Sequence, residues 1–270
     1  MTPSPAATAA LVLVAIVPGT LLYRAVRPTG SRFECLVLAP ILSLAFVFLF
    51  GELASVTGLA FAPLPFIVAL APPAAVAAWH RFGRHRRPEP SSLPRAAAVL
   101  LAGGLAISAL SWVLGVGSLG STPPYTDSVN HGLMAAQVAD RESLDPGRVL
   151  GSDPSDQTPN TGETAYYPLA IHGEVALANR LFGIGFADGL LAVTFLFAVV
   201  VLPLGLFAAT RALVPESPST AGLSALLGAA TGFFPLLPLS FGGLALVVGM
   251  AMVPVEGRVA AGAWARAPAA

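Results

Sequence analysis

The chain has 270 residues, of which 55% are hydrophobic and 10% charged, and its net charge is zero. Soluble domains carry about 25% charged residues, and disordered chains combine low hydrophobicity with high charge, so both classes are excluded. Cys35 is the single cysteine, which excludes a disulfide scaffold. The balanced charge offers no overall basic field for nucleic acid. The composition therefore predicts an all-α polytopic membrane protein.

Uncharged apolar stretches with the length that crosses a bilayer, about 20 residues, recur along the chain. The first four predicted spans cover residues 1–23, 35–51, 58–79 and 96–117, and the fifth covers residues 189–210. The charge-free stretch between Glu216 and Glu256 has room for two more spans. A bend rich in Pro and Gly at residues 232–243 would separate them. We predict a transmembrane helix bundle of about seven spans with a helical outer loop segment.

The placement of arginine predicts how these spans are oriented, because short cytoplasmic loops carry an excess of basic residues. Arginines cluster between spans one and two, between three and four, after five and after seven. Placing these clusters in the cytoplasm puts the N-terminus and the long connection between spans four and five outside the cell. The first span has no basic residue before it, which is typical of a signal anchor of reversed orientation in the cell membrane.

This topology divides the chain into four parts: a four-span bundle at 1–117, an extracytoplasmic loop at 118–188, three spans at 189–255 and a cytoplasmic tail at 256–270. Connections longer than about 15 residues are usually functional or disordered. The outer loop is also where carboxylates and histidines concentrate. We therefore expect the catalytic or binding residues to lie in this loop.

Asp127 and His131 form the first polar motif of the outer loop, in a stretch predicted to be helical after Pro124. Residues four apart on a helix share a face. A carboxylate and an imidazole in that arrangement can bind one divalent ion, or act as a base with its orienting partner. The alternative is that Asp127 only caps the helix and His131 lies at the membrane surface.

The middle of the outer loop is rich in turn-forming residues and contains Asp153, Asp156 and Glu163. Their oxygens could contribute to a cation site, but no EF-hand spacing is present. Asp-Pro and Asn-Thr-Gly are ordinary turn formers. Solvated loop carboxylates are the interpretation that the composition favours.

A second helix is predicted from Pro168, with Glu174 on its apolar side, where a carboxylate is costly unless paired. One interpretation is an interfacial helix with Tyr166 and Tyr167 as aromatic anchors. The other is a site in which His172 and Glu174 face the same cavity as the Asp127–His131 motif. The sequence leaves both open.

An acidic residue just beyond the outer end of a span, opening a long loop with amphipathic helices, resembles the GT-C superfamily. These are integral-membrane glycosyltransferases that use polyprenyl-phosphate-linked sugars. By position, Asp127 matches the Asp or Glu that serves them as catalytic base or metal-associated carboxylate. The motifs Asp127 with His131, Tyr166-Tyr167-Pro168 with His172, and FFPLLPLSFGGLALVVGMAMVP are also similar to a family of large bacterial multispanning proteins of unassigned function, often regarded as GT-C-like.

The resemblance covers about residues 96–255 and implies an activity on membrane lipid. A polyprenyl-phosphate sugar would be the donor, and a cell-envelope molecule the acceptor. Because such proteins are longer, the chain is expected to be the N-terminal part of a larger protein, or a shortened version. The alternative function is that of a non-enzymatic polytopic protein, either a transporter fragment or an envelope assembly partner.

The resemblance also implies a role for each candidate residue. Asp127 would act as base or metal ligand, and His131 would orient it or share the metal, so that a divalent cation is the candidate cofactor. His172, Glu174 and Tyr167 would line the substrate site. Arg180 would bind the donor phosphate.

Overall fold

The computed structural model describes residues 5–83, 93–116, 126–149, 169–231 and 244–264. Within these ranges all regular structure is helical and no strand is present, so the predicted all-α class is confirmed. The helices are α1 (Pro5–Val26), α2 (Arg32–Thr57), α3 (Pro63–Gly83), α4 (Arg95–Val116), α5 (Thr126–Arg141), α6 (Pro146–Val149), α7 (Ala170–Phe182), α8 (Phe186–Phe195), α9 (Leu202–Leu213), α10 (Pro218–Ala230) and α11 (Leu244–Trp264). A π-helical stretch, Leu196–Val201, joins α8 to α9.

Five helical segments in the described ranges are long and apolar enough to cross a membrane, namely α1, α2, α3, α4 and the continuous α8–α9 segment. They correspond to the first five predicted spans. In place of the last two, the structure has α10, with 13 residues, and α11, whose apolar part is the short stretch Leu246–Gly257. Helix α11 continues beyond the predicted span end at residue 255, and the bend at 232–243 lies outside the described residues. Spans six and seven therefore stay a prediction, as does the external N-terminus.

The spans differ in how much of their surface the protein covers. Of the 18 most apolar consecutive residues of the α8–α9 span 83% are buried, against 6% of those in α3. Helix α8 contacts α1, α5, α7 and α11, whereas α3 contacts chiefly α1. The α8–α9 span is therefore the centre of the bundle, and α3 lies at its edge with an apolar surface suited to lipid.

Helices α1 and α2 pack closely at a proline in α1. Pro18 has no backbone N–H and breaks the regular hydrogen bonding of a helix. The next amide, Gly19 N–H, donates to the hydroxyl of Ser43 on α2 over 2.8 Å. A side chain on Gly19 would place its Cβ 1.9 Å from the carbonyl oxygen of Ala39. The absence of a side chain at residue 19 therefore permits the close approach of the two backbones.

Helix α7 comes from the predicted outer loop but lies within the bundle. It contacts α1, α2, α3, α5 and α8, and all its residues from His172 to Ala178 are buried. An interfacial helix keeps one face in the headgroup region. The interfacial interpretation is therefore wrong for the first two turns of α7, because both of its faces are covered by other helices. The described part of the predicted outer loop folds back against the spans.

Candidate functional site

Two histidines meet where α5 packs against α7. Nδ1 of His131 lies 2.9 Å from Nε2 of His172, and the two rings stack with their centroids 5.1 Å apart and their planes at 27°. Their exposed fractions are 2% and 0%. The pair therefore shares a hydrogen bond in a site closed to water, and which nitrogen donates is set by the tautomers.

The buried environment determines the charge of this pair. Burial, with a smaller contribution from His131, lowers the pKa of His172 to about 3. Water no longer solvates the ring, so the charged imidazolium is disfavoured. His172 is therefore neutral at physiological pH. A neutral imidazole has one N–H group and one lone pair, and it can pass on a proton or bind a metal ion.

Asp127 lies in the first turn of α5, one helical turn before His131. Residues at these positions lie on the same face of a helix. The Asp127 side chain is outside the described residues, as are Tyr167 and the loop carboxylates Asp153, Asp156 and Glu163. The structure thus brings His131 and His172 into contact, and a common cavity that also includes Asp127 stays a prediction.

Glu174 is fully buried on α7. Neither of its carboxyl oxygens has a hydrogen-bond partner among the residues that the structure describes. Burial raises the pKa of Glu174 to about 8, so the side chain is mostly a neutral acid at pH 7. It lies two residues beyond His172, about 200° around the helix, and so leaves α7 on a different side. Its predicted role in substrate binding stays a prediction.

Arg180 is occupied away from the two histidines. Its guanidinium forms an ion pair with Glu142, the residue that follows α5. Along α7, position 180 is about 12 Å from position 172, because each residue of a helix advances about 1.5 Å. The described structure therefore joins Arg180 to the end of α5 and does not bring it to the histidine pair.

The Arg180–Glu142 ion pair is expected to add little stability. The two side chains are 33% and 37% exposed, and exposed pairs contribute about 0–1 kcal/mol. A double-mutant cycle of Arg180→Gln and Glu142→Gln should give a coupling energy in that range. A fluorogenic thiol dye can monitor unfolding, because Cys35 is the single cysteine and is buried. A coupling energy above about 2 kcal/mol would contradict the expectation.

Sequence reasoning missed the neighbours of Gly173 and the partner of Arg180. Gly173, between His172 and Glu174, faces Val47 of α2 and Phe61 so closely that a Cβ would lie 2.9 Å and 3.1 Å from them. No local pattern marks these neighbours, since they come from distant parts of the chain. Glu142 could be singled out only as one of several polar residues at the end of a predicted helix.

A model for a family of unknown function, DUF6541, matches residues 12–270. The match extends over nearly all of the chain, including both members of the histidine pair. Neither a curated protein nor a solved structure matches the chain. These comparisons assign no activity, so the chemistry has to be inferred from the residues themselves.

Proposed function

The chain belongs to the DUF6541 family, and we propose that it is a GT-C-like membrane glycosyltransferase, or the membrane part of one. It would transfer a sugar from a polyprenyl-phosphate donor to an acceptor in the cell envelope. The observation that supports this proposal is the buried contact between His131 and His172, one helical turn from Asp127.

The proposed reaction needs a base for the acceptor. The acceptor hydroxyl oxygen forms a bond to the anomeric carbon of the donor, and the bond from that carbon to the phosphate oxygen breaks. Polyprenyl phosphate leaves with the electron pair, and the hydroxyl proton passes to the base. Asp127 would take that proton, and His131, held by His172, would keep the carboxylate oriented.

The position of the site suits a lipid-borne donor. Helices α5 and α7 both belong to the connection between membrane spans, and both contact α8, the first part of the central span. A polyprenyl chain would remain in the hydrocarbon while its phosphate and sugar reach the ends of these helices. The burial of both histidines favours proton transfer without competition from bulk water.

The proposal can be tested by measuring sugar transfer by the full-length protein in liposomes. Radiolabelled polyprenyl-phosphate hexoses would serve as donors, and a bacterial envelope polysaccharide fraction as acceptor. We expect Asp127→Asn to lower turnover at least 100-fold, and His131→Gln or His172→Gln to lower it about 10–100-fold. Asp140→Asn is the matched control, because Asp140 is exposed near the end of the same helix.

Two results would count against the proposal. Unchanged turnover in Asp127→Asn would remove this carboxylate from the reaction. Absence of transfer by the unmodified protein from every labelled hexose donor would reject the transferase itself. Loss of turnover in Asp140→Asn would show that the assay reports damage to α5 and not chemistry at the site.

A transporter is the second candidate, and Glu174 is the observation that favours it. Ionisable residues inside membrane bundles are rare, and they mark ion or substrate pathways. Glu174 is buried where α7 packs against the spans, and it is mostly protonated at pH 7. Substrate uptake into proteoliposomes that is abolished by Glu174→Gln, in a protein without transferase activity, would favour this candidate.

A further inference from the structure

Helix α3 carries an apolar groove on its exposed side, near the end of the helix. The groove has a volume of about 430 Å³ and is lined by Ala75, Ala78, Trp79 and Phe82. Trp79 and Phe82 are 73% and 78% exposed. Because α3 is the least covered of the five described spans, its groove faces the hydrocarbon of the membrane and not the interior of the bundle.

We propose that this groove binds one anionic phospholipid, with an acyl chain against Trp79 and Phe82 and a phosphate group at the guanidinium of Arg81. A lipid held in this way is a bound ligand and not one of the freely exchanging lipids around the protein. The proposal does not depend on glycosyl transfer, because the groove shares no residue with the histidine pair.

The geometry of the helix places Arg81 beside the groove. The four residues that line the groove fall within about 100° of one another around α3, and position 81 lies about 60° from position 78. Arg81 is exposed in the last turn. An arginine can lay its methylene groups along an apolar surface while its guanidinium stays at the level of the headgroups. There it can donate two parallel hydrogen bonds to a phosphate.

The membrane face at which α3 ends is basic. Phe66, near the start of α3, packs against Phe46 and Phe50 in the second half of α2, so the start of α2 and the end of α3 lie at the same face. Helix α4, the next span, starts there too. The rings of Phe33 and Phe207, with centroids 5.3 Å apart, bring the second half of α9 to this face as well. Its described arginines are Arg24, Arg27, Arg32, Arg81, Arg95 and Arg211.

This positive charge favours an anionic lipid as the occupant of the groove. The described acidic residues that could balance the six arginines are half as many, namely Glu34, Glu216 and Glu256, and Glu34 is already ion-paired with Arg27. A second copy of the chain in the same orientation would bring the same arginines to the same face, so that like charges would meet. Anionic phospholipids supply the missing negative charge at the membrane surface.

The proposal can be tested by the quenching of Trp79 fluorescence in liposomes that contain the full-length protein. A brominated acyl chain quenches a tryptophan on contact, and the Trp79 signal is the difference between the unmodified protein and Trp79→Phe. Brominated phosphatidylglycerol should bind at least fivefold more strongly than brominated phosphatidylcholine, because each arginine near a membrane surface contributes about that factor. Arg81→Gln should lower the ratio about two- to fivefold, and Ala78→Leu, which fills the groove, should also lower it.

Arg148→Gln is the matched control for the loss of one positive charge. Arg148 is 62% exposed on α6. This helix lies at the opposite end of the bundle, where Leu144 packs against Gly51 in the second half of α2. The ratio between the two lipids should therefore be the same in Arg148→Gln as in the unmodified protein.

Four results would overturn the proposal. Equal quenching by the two brominated lipids would show contact without preference, and absence of quenching by both would show that protein covers the groove. A ratio unchanged in Arg81→Gln would remove this arginine from headgroup binding. Loss of the preference in millimolar inorganic phosphate would show that this face binds free phosphate and not a phospholipid. The substituted side chains are exposed, so the fold should be retained, and none of these results depends on transferase activity.

Discussion

Replacing Glu174 by lysine is expected to prevent the chain from accumulating as folded protein. The side chain at this position is fully buried, and its carboxyl oxygens have no hydrogen-bond partner among the described residues. The neutral acid avoids a charge there because its pKa is raised to about 8. A buried lysine has to carry an unpaired charge or lose its proton, at a cost of about 3–5 kcal/mol. That is a large part of the stability of a typical protein.

Two other substitutions of Glu174 separate the effect of charge on stability from the effect of side-chain shape. Glu174→Gln keeps the size and the neutral state, so its stability should stay within about 1 kcal/mol of the unmodified protein. Glu174→Leu removes the buried polar atoms and should be neutral or stabilising by about 1–3 kcal/mol. Unfolding in mild detergent can be measured by the reaction of a fluorogenic thiol dye with Cys35. If Glu174→Leu proved strongly destabilising, Glu174 would have a polar partner outside the described residues.

Glu216→Lys is the matched control for the change of charge. Glu216 is exposed in the connection between α9 and α10. The same exchange of acid for base there should alter stability by no more than about 0.5 kcal/mol. A loss similar to that of Glu174→Lys would show that net charge, and not burial, controls the stability of this protein.

Gly19→Ala is expected to be the most damaging single-carbon change in the described bundle. The added Cβ would lie 1.9 Å from the carbonyl oxygen and 2.7 Å from the carbonyl carbon of Ala39. Both are backbone atoms, so no side-chain rotation relieves the overlap, and α1 has to move away from α2. That movement also lengthens the Gly19 to Ser43 hydrogen bond, which is 2.8 Å long. Overpacking of this kind costs about 1–3 kcal/mol or more.

Gly249→Ala provides the comparison for Gly19. Gly249 lies within α11, and a Cβ there meets nothing within 4 Å among the described residues. Alanine favours a helix over glycine by up to about 1 kcal/mol, so this variant should be neutral or slightly stabilised. The two variants can be compared by thermal unfolding with the same dye. Equal stability of Gly19→Ala and the unmodified protein would contradict the close packing of α1 and α2.

The helices could be predicted because the hydropathy of a short stretch of sequence is enough to decide whether it forms one. A stretch such as residues 35–51 is too apolar to be stable in water and, within a membrane, has to form its own hydrogen bonds as a helix. The helix α2 that contains it runs from Arg32 to Thr57. Its ends follow from local chemistry too, since Ser31 accepts a hydrogen bond from Glu34 N–H, and Gly58 takes the left-handed conformation that ends a helix.

The position of helix α7 in the bundle could not be predicted from its sequence. Its sequence has an apolar side and a polar side, which equally describes a helix at a membrane surface and one inside a bundle. The structure buries His172 and Glu174 on two different sides of the helix. Which surface a helix covers depends on the shapes of its neighbours, and those neighbours come from α1, α2, α5 and α8. The same applies to Arg180, whose partner is not marked by any spacing in the sequence.

The amino-acid sequence alone determined the all-α class of the described residues and the apolar helices that are long enough to cross a membrane, because apolar composition and the length of uncharged stretches decide these locally. It also pointed to His131 and His172 as candidate residues, but their contact was only one of two interpretations. Only the tertiary structure decided that these rings, 41 residues apart in sequence, meet at 2.9 Å. A contact of that kind is set by how α5 and α7 pack, and packing depends on the whole surface of each helix.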